Sequence, residues 1–389
     1  MTFEEFKLNP ELTDSIHYMG FTEATPIQEQ AIPIILEGND LIACAQTGTG
    51  KTAAFLLPVF NSIIEKRPEY THTLILVPTR ELAIQIDQQV QGLAFTLNIN
   101  SIAIYGGSDG SDWDQQKIAL RDGVNIIIAT PGKLISHLNQ GYVKFDKIET
   151  LVLDEADRML DIGFYDDIMR ITSYVAKKRQ TLMFSATMPP RIRSLSKQIM
   201  DKPAEISIEM SKPAEGVIQA VYLLQDSQKL PLINQMIADN PEYSSILIFS
   251  STKRKVNEIV RGLRSKQYLV EGISSDLVQK EREEVLLRFR ARRTRVLVAT
   301  DVMSRGIDIK DINLVVNFDA PADAEDYVHR VGRTARAETT GVAITLVNKI
   351  DMQKLHRIEK LIGNKIYRAP LPAFLKKTEG GRESSRYRR

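Results

Sequence analysis

Cysteine is nearly missing: the chain of 389 residues holds one, Cys44. A single thiol closes no internal disulfide and builds no cysteine-based zinc site, which fits a reducing compartment. Long apolar runs are missing too, and none approaches the ~18 residues that a membrane span requires. The first residues, Met1-Thr2-Phe3-Glu4-Glu5-Phe6, are acidic with no apolar stretch behind them, so they do not read as a secretory leader. Neither charge dominates: 51 Lys and Arg face 49 Asp and Glu, so any nucleic-acid surface must be a local patch. There is no short-period repeat and no low-complexity core. The expectation is a soluble, cytoplasmic protein with no membrane partner.

What is present is an ordinary globular composition, 43% hydrophobic and 26% charged. At roughly 100–200 residues per domain, the length predicts two domains. Short β-branched runs recur at Leu41–Ala45, Thr73–Val77, Ser101–Tyr105, Asn125–Ala129, Thr150–Leu153 and Thr181–Phe184. They lack polar alternation, as parallel strands buried on both faces do. Helical patterns such as Thr79–Leu93 separate them, which predicts βαβ units. The polar stretch 209–216 breaks the rhythm, and it restarts at Ile218–Leu224, Ser245–Phe249, Tyr268–Ile273, Arg295–Ala299, Asn313–Asn317 and Val342–Val347. The fold class is therefore α/β, two tandem domains, each a mostly parallel sheet flanked by helices.

Ala45-Gln46-Thr47-Gly48-Thr49-Gly50-Lys51-Thr52 lies between a strand and a helical stretch, the setting of a phosphate-binding loop. Its glycines let backbone N–H groups turn toward a phosphate, and the following helix adds its positive end. Lys51 is placed at the β- and γ-phosphates and the Thr52 hydroxyl on Mg²⁺. Ala45 stands where the general pattern has its first glycine. Asp154-Glu155-Ala156-Asp157 ends the run Leu151–Leu153, where carboxylates meet ligands in open α/β sheets. Asp154 suits the metal and Glu155 the attacking water. Alone, that tetrapeptide reads equally as a solvated helix start. Asn348-Lys349-Ile350-Asp351 matches a guanine-reading pattern but falls in the other domain from Lys51, so it is read as a strand-end turn, with a GTPase as the minor alternative.

Together with Thr25-Pro26-Ile27-Gln28, Pro78-Thr79-Arg80-Glu81-Leu82, Ser185-Ala186-Thr187 and His329–Arg336, these motifs occur in the order of the DEAD-box RNA helicases. The chain resembles that family over roughly residues 3 to 365, and its short tail resembles the RhlE-type bacterial branch. The resemblance implies two RecA-like domains: an adenine-recognition segment 1–29, an ATP-binding domain 30–208, a linker 209–216, a second domain 217–368 and a basic, disordered tail 369–389. It implies ATP and RNA bound across the cleft between the domains, with Mg²⁺ held by Thr52 and Asp154. Gln28 reads the adenine edge, with Phe3 and Phe21 packing around the base. Asp308 contacts the ribose, Arg333 and Arg336 reach the γ-phosphate, and Ser185, Thr187 and Arg330 couple hydrolysis to strand separation. Arg330 reads equally as an interdomain salt bridge.

RNA contacts implied by the resemblance are Pro78, Thr79, Arg80, Gly106, Gly107, Thr130, Pro131, Gly132, Ser251, Thr252, Gln279, Arg282 and Thr300. Glycines and hydroxyls suit close approach to a sugar–phosphate backbone without reading sequence. Three departures touch that face: Lys133 for the usual Arg, Ser274-Ser275-Asp276 for His-Gly-Asp, and Met303-Ser304 for two small residues. The expected activity is RNA-stimulated ATP hydrolysis with local unwinding of short duplexes, the alternative being an ATP-gated RNA clamp. A monomer is expected, with protein partners in ribosome assembly or RNA decay. No RNA-recognition motif or zinc knuckle is appended to name the target.

Overall fold

The aliphatic runs form strands because each residue of a central strand is buried on either face, and Val, Ile and Leu fill both. In the computed structural model the described residues are 1–45, 48–107, 110–208, 217–274, 276–300, 312–334 and 341–376, without the side chains at 110–112, 279, 325 and 376. They fall into two units, Met1–Met210 and Ser211–Arg389.

The first unit contains β1 Leu41–Cys44, β2 Thr73–Leu76, β3 Ser101–Ile104, β4 Ile126–Ala129, β5 Thr150–Leu153, β6 Gln180–Ser185 and β7 Ala204–Ser207. These form one sheet in the order β3-β4-β2-β5-β6-β1-β7. All neighbours are parallel. The second unit contains β8 Val217–Leu223, β9 Ile246–Phe249, β10 Val270–Ile273, β11 Val296–Ala299, β12 Leu314–Asn317, β13 Gly341–Val347 and β14 Tyr367–Arg368. Its order is β10-β11-β9-β12-β13-β8-β14, again parallel throughout. Subtracting seven from each label gives 3-4-2-5-6-1-7, the order of the first sheet. Parallel pairing puts every strand's carboxyl end on one edge, where open α/β sheets take their ligands.

Twelve strands lie where the apolar runs predict them. The other two, β7 and β14, are edge strands with partly exposed residues, too short and too polar to stand out. Helices cover both faces. Lys253–Arg264 shows how: Val256, Ile259, Val260 and Leu263 recur at helical spacing and are buried, while its charged residues other than Lys255 are exposed. Thr79 begins the expected helix as its N-cap, accepting from Leu82 N–H at 3.3 Å.

The N-terminal segment packs into the core of the first unit. Phe3, expected at the adenine, is 2% exposed and lies against Phe6 and Phe21, with ring centroids 6.0 and 6.2 Å away. It packs there directly against Phe21, the other aromatic expected at the base. The first residues assigned to the tail are likewise structured. Ala373–Lys376 is helical, Leu375 is buried in the core of the second unit, and its carbonyl accepts from Gln228 Nε2 at 3.1 Å. The expected linker 209–216 and the tail beyond 376 lie outside the described residues. Among the described residues no helix is long and apolar enough to cross a membrane.

Candidate functional site

The glycine-rich turn leaves the carboxyl end of β1 and enters the helix Lys51–Lys66. Gly50 has φ 92°, in the left-handed region, and an added Cβ would stand 2.6 Å from Gln28 Nε2. Both facts require glycine there. The close neighbour is itself a bond: Gln28 Nε2 donates to Gly50 O at 3.1 Å, and its Oε1 accepts from Thr25 N–H at 2.9 Å. Gln28, expected to read adenine, is thus a buried strut between the helix Pro26–Leu36 and the phosphate loop. One amide N–H remains beyond those two bonds. Lys51 is buried, and its ammonium donates to Ala45 O at 2.9 Å. Thr52 is half-buried in the first turn of the same helix; Gln46 and Thr47 lie outside the described residues.

Asp154 follows β5 and is 3% exposed. Burial raises its carboxyl to about 6, against the pull of Lys51. One of its oxygens accepts from Glu155 N–H at 2.9 Å. Glu155 has φ 50°, a left-handed conformation costing a non-glycine residue about 1–3 kcal/mol, and strain of this kind concentrates at functional sites. Its carboxylate meets the buried Arg158 guanidinium at 3.1 Å. Asp157 accepts from both the N–H and the hydroxyl of Thr187 at 2.9 Å, its own N–H donates to Ser185 Oγ at 3.3 Å, and Ser185 Oγ donates to Thr187 O at 2.7 Å. The acidic tetrapeptide after β5 is thereby latched to Ser185-Ala186-Thr187 after β6. Composition alone does not single out Arg158 or Asp157. The signals are there: Arg158 lies one helical turn from Glu155, and Asp157 closes the acidic tetrapeptide.

The strand order sorts this edge. Lys51, Asp154, Glu155, Ser185 and Thr187 follow β1, β5 and β6, which are contiguous. The residues predicted for RNA follow β2, β3 and β4, the other contiguous half. There Arg80 donates to Gly107 O at 3.1 Å with its guanidinium 4.5 Å from the Tyr105 ring centre. Pro78 is buried, and Thr130 N–H donates to Ile104 O at 2.9 Å ahead of Pro131. A Cβ added at Gly106 or Gly132 would meet nothing within 4 Å, so nothing inside the protein demands glycine at either.

In the second unit Thr252 caps the helix Lys253–Arg264, accepting from Lys255 N–H at 3.3 Å. Ser251 donates its N–H and hydroxyl to Asp319 Oδ2 at 2.9 and 2.8 Å. The other Asp319 oxygen meets Lys255 at 2.7 Å and Lys229 at 3.4 Å. These partners hold the Asp319 carboxyl, against burial, far below the carboxylate range. Sequence reasoning misses Asp319 and Lys229, although Asp319 follows an apolar run as Asp154 does. Arg330 is buried and donates to Asn317 Oδ1 and Asp319 O, both at 2.9 Å, over the Phe249 ring. Those partners make it a post within its own unit. Arg282 is buried, Thr300 and Arg333 are half-buried, and Gln279 opens the helix Gln279–Arg290. Asp308 and Arg336 lie outside the described residues. The pattern Asn348–Asp351 is a turn after β13, closed by Asp351 N–H on Asn348 Oδ1 at 2.9 Å.

Two family models match the chain: DEAD/DEAH box helicase over residues 25–195 and helicase conserved C-terminal domain over 228–338. The chain is 43% identical over 360 residues to the ATP-dependent RNA helicase CshA of Listeria monocytogenes serovar 1/2a, covering 92% of this chain and 68% of that one. It is 40% identical over 382 residues to the DEAD-box ATP-dependent RNA helicase CshA of Bacillus subtilis, covering 98% and 76%. These relatives carry the name CshA rather than RhlE. Among solved structures, S. cerevisiae Dbp5 bound to RNA and ADP BeF3 superposes with a TM-score of 0.83 at 32% identity, covering 95% of each chain.

Proposed function

The chain belongs to the DEAD-box family of ATP-dependent RNA helicases, and from that premise we propose how its residues hydrolyse ATP on RNA. The reading is carried by the latch in which Asp157 ties the acidic tetrapeptide after β5 to Ser185 and Thr187 after β6. It mechanically joins the hydrolytic carboxylates to the strand-end loops beside them.

ATP is the substrate. Its phosphates are met by the backbone N–H groups of residues 46–52 and by the Lys51 ammonium, which exchanges Ala45 O for a phosphate oxygen. Asp154 fits Mg²⁺, because a buried carboxylate raised to about 6 gains from a cation beyond Lys51. One carboxylate, the Thr52 hydroxyl and substrate phosphate oxygens form the hard oxygen set that this ion prefers. When bound, Mg²⁺ neutralises charge on the phosphates. Glu155 orients the attacking water and takes its proton, while Arg158 holds that carboxylate in place. Arg333 and Arg336 supply guanidiniums to the growing charge, and Asp308 accepts from the ribose. Gln28 senses adenine through its remaining N–H, and Phe21 covers the base.

RNA lies along Thr79, Arg80, Gly106, Gly107 and Thr130–Gly132 in the first unit, and along Ser251, Thr252, Gln279, Arg282 and Thr300 in the second. Gly106 and Gly132, with nothing inside the protein to demand glycine, leave a backbone surface that a sugar–phosphate chain can approach. ATP-dependent joining of the two units on one strand melts a short duplex. The protein works as a cytoplasmic monomer.

Glu155→Gln tests the core of this mechanism. The variant keeps Asp154 and the latch, so it is expected to bind ATP and RNA and stall in a long-lived complex, with turnover and duplex displacement both lost. Undiminished hydrolysis would assign the base elsewhere.

A further inference from the structure

After β4, Thr130 is the N-cap of the helix Pro131–Leu138, whose first turn carries Gly132 and Lys133. The Lys133 ammonium lies 4.5 Å from the centre of the Trp113 ring, on the neighbouring helix Gly110–Asp122. Trp113 is itself fixed. It stacks on His137 with centroids 3.9 Å apart and planes at 15°. His137 is fully buried between two bonds, Nε2 to Gln116 Oε1 at 3.0 Å and Nδ1 to the Tyr142 hydroxyl. Burial, with Lys133 nearby, lowers the imidazole to about 4, so Lys133 is the cation on this ring at neutral pH. Among the described residues no carboxylate pairs with Lys133.

We propose that Trp113 is a positioning residue for RNA binding: it seats the Lys133 ammonium beside the helix start Thr130–Gly132, where it meets an RNA phosphate as a preorganised, unneutralised cation. A free lysine is a flexible point charge and loses rotamer freedom on making such a contact. A ring under the ammonium offsets part of that loss, tryptophan being the best of the aromatic faces. The same device recurs in this half of the sheet edge, where Arg80 lies over Tyr105 beside Gly107. The proposal rests on the RNA reading above and adds a residue to it.

Trp113 is the only tryptophan in the chain, so its emission reports this seat directly. Titrating a single-stranded oligouridine should change that emission with the same midpoint as binding followed by anisotropy of a labelled strand. Trp113→Leu should weaken binding about three- to tenfold at low salt and reduce the log–log salt slope by roughly 0.7, the share of one phosphate on a single strand. In a Lys133→Gln background, Trp113→Leu should add nothing, whereas Lys133→Arg should bind like the unaltered chain. Trp113→Phe, which preserves a ring against His137, should fall between, and it serves if the leucine variant unfolds. Equal weakening in both Lys133 backgrounds would mark Trp113 as mere packing and overturn the proposal, as would unaltered affinity in both Trp113 variants. If the unaltered chain itself fails to bind the strand, the RNA reading falls first.

Discussion

The two units share one strand order but treat equivalent positions differently. Each has a buried lysine on the helix after its first strand and a buried aspartate past its fourth strand in sheet order, Lys51 with Asp154 and Lys229 with Asp319. In the first unit the lysine donates to a carbonyl and the aspartate is raised to about 6 by burial. In the second, Asp319 binds Lys229, Lys255 and Ser251, and its carboxyl is driven far down. The second unit thus ties this pair into its own architecture, whereas in the first the lysine is held by a backbone carbonyl. A glycine-rich turn precedes only the first lysine. The topology is therefore permissive, and a few side chains set how each copy treats the pair.

Exchanging the roles of the two lysines breaks this comparison most sharply. Lys51→Ala is expected to lower ATP turnover by at least about 10²–10³-fold, the range for removing a donor aimed at developing charge. The variant's thermal unfolding should hardly move. Lys229→Ala should do the reverse, destabilising the second unit while nucleotide binding by the first persists. Fluorescent-nucleotide binding and thermal scans on both variants check this, and matching phenotypes would refute the division of labour.

The aspartates sharpen it. Asp319→Asn leaves buried Lys229 with the exposed Asp226, at 2.9 Å, as its one carboxylate among the described residues, and breaking a buried pair this way costs about 3–5 kcal/mol. Because the folded carboxyl lies below its unfolded value, its stabilisation is complete above the unfolded pKa of about 4 and fades as pH falls through the folded one. The Asn variant should lack that acid dependence in urea unfolding. Asp154 has the opposite sign. Its folded carboxyl is raised to about 6, so stability falls as pH rises from the unfolded value of about 4 through about 6, is lowest above that, and the cost disappears on acidification. Asp154→Asn should stabilise the nucleotide-free chain by about 1–3 kcal/mol near neutral pH while abolishing turnover. A lower melting temperature would show that its carboxylate is structurally paired.

Much of this was legible in the sequence because the physics is local. Buried parallel strands are apolar in unbroken runs, and the phosphate loop, the acidic tetrapeptide and the Thr79 cap are contiguous in the chain. What was not legible depends on tertiary pairing. The burial of Phe3 needed the positions of Phe6 and Phe21, and the Gln28 strut needed Gly50, 22 residues away. The Asp319 cluster joins residues 64 to 90 positions apart. Edge strands β7 and β14 pair with one neighbour each, so no run of apolar residues announces them.

The smallest expected effect concerns the basic tail, and the fold moves its boundary. Leu375 is buried and its carbonyl is held by Gln228, so a chain cut at Phe374 would damage the second unit as well as remove charge. The informative cut follows Lys376. It removes Lys377, Arg382, Arg386, Arg388 and Arg389 against two glutamates. We propose that this segment tethers RNA without reading it, its cations meeting phosphates whatever the bases. Since the motifs proposed to meet ATP lie upstream, basal hydrolysis should persist. RNA stimulation should weaken, and the salt dependence of single-strand binding should flatten by roughly 0.7 for each phosphate that the shortened chain leaves unneutralised. Affinity measured against salt for both lengths decides it: equal slopes would make the tail a solvated end and leave the phosphates to the strand-end loops of the two units.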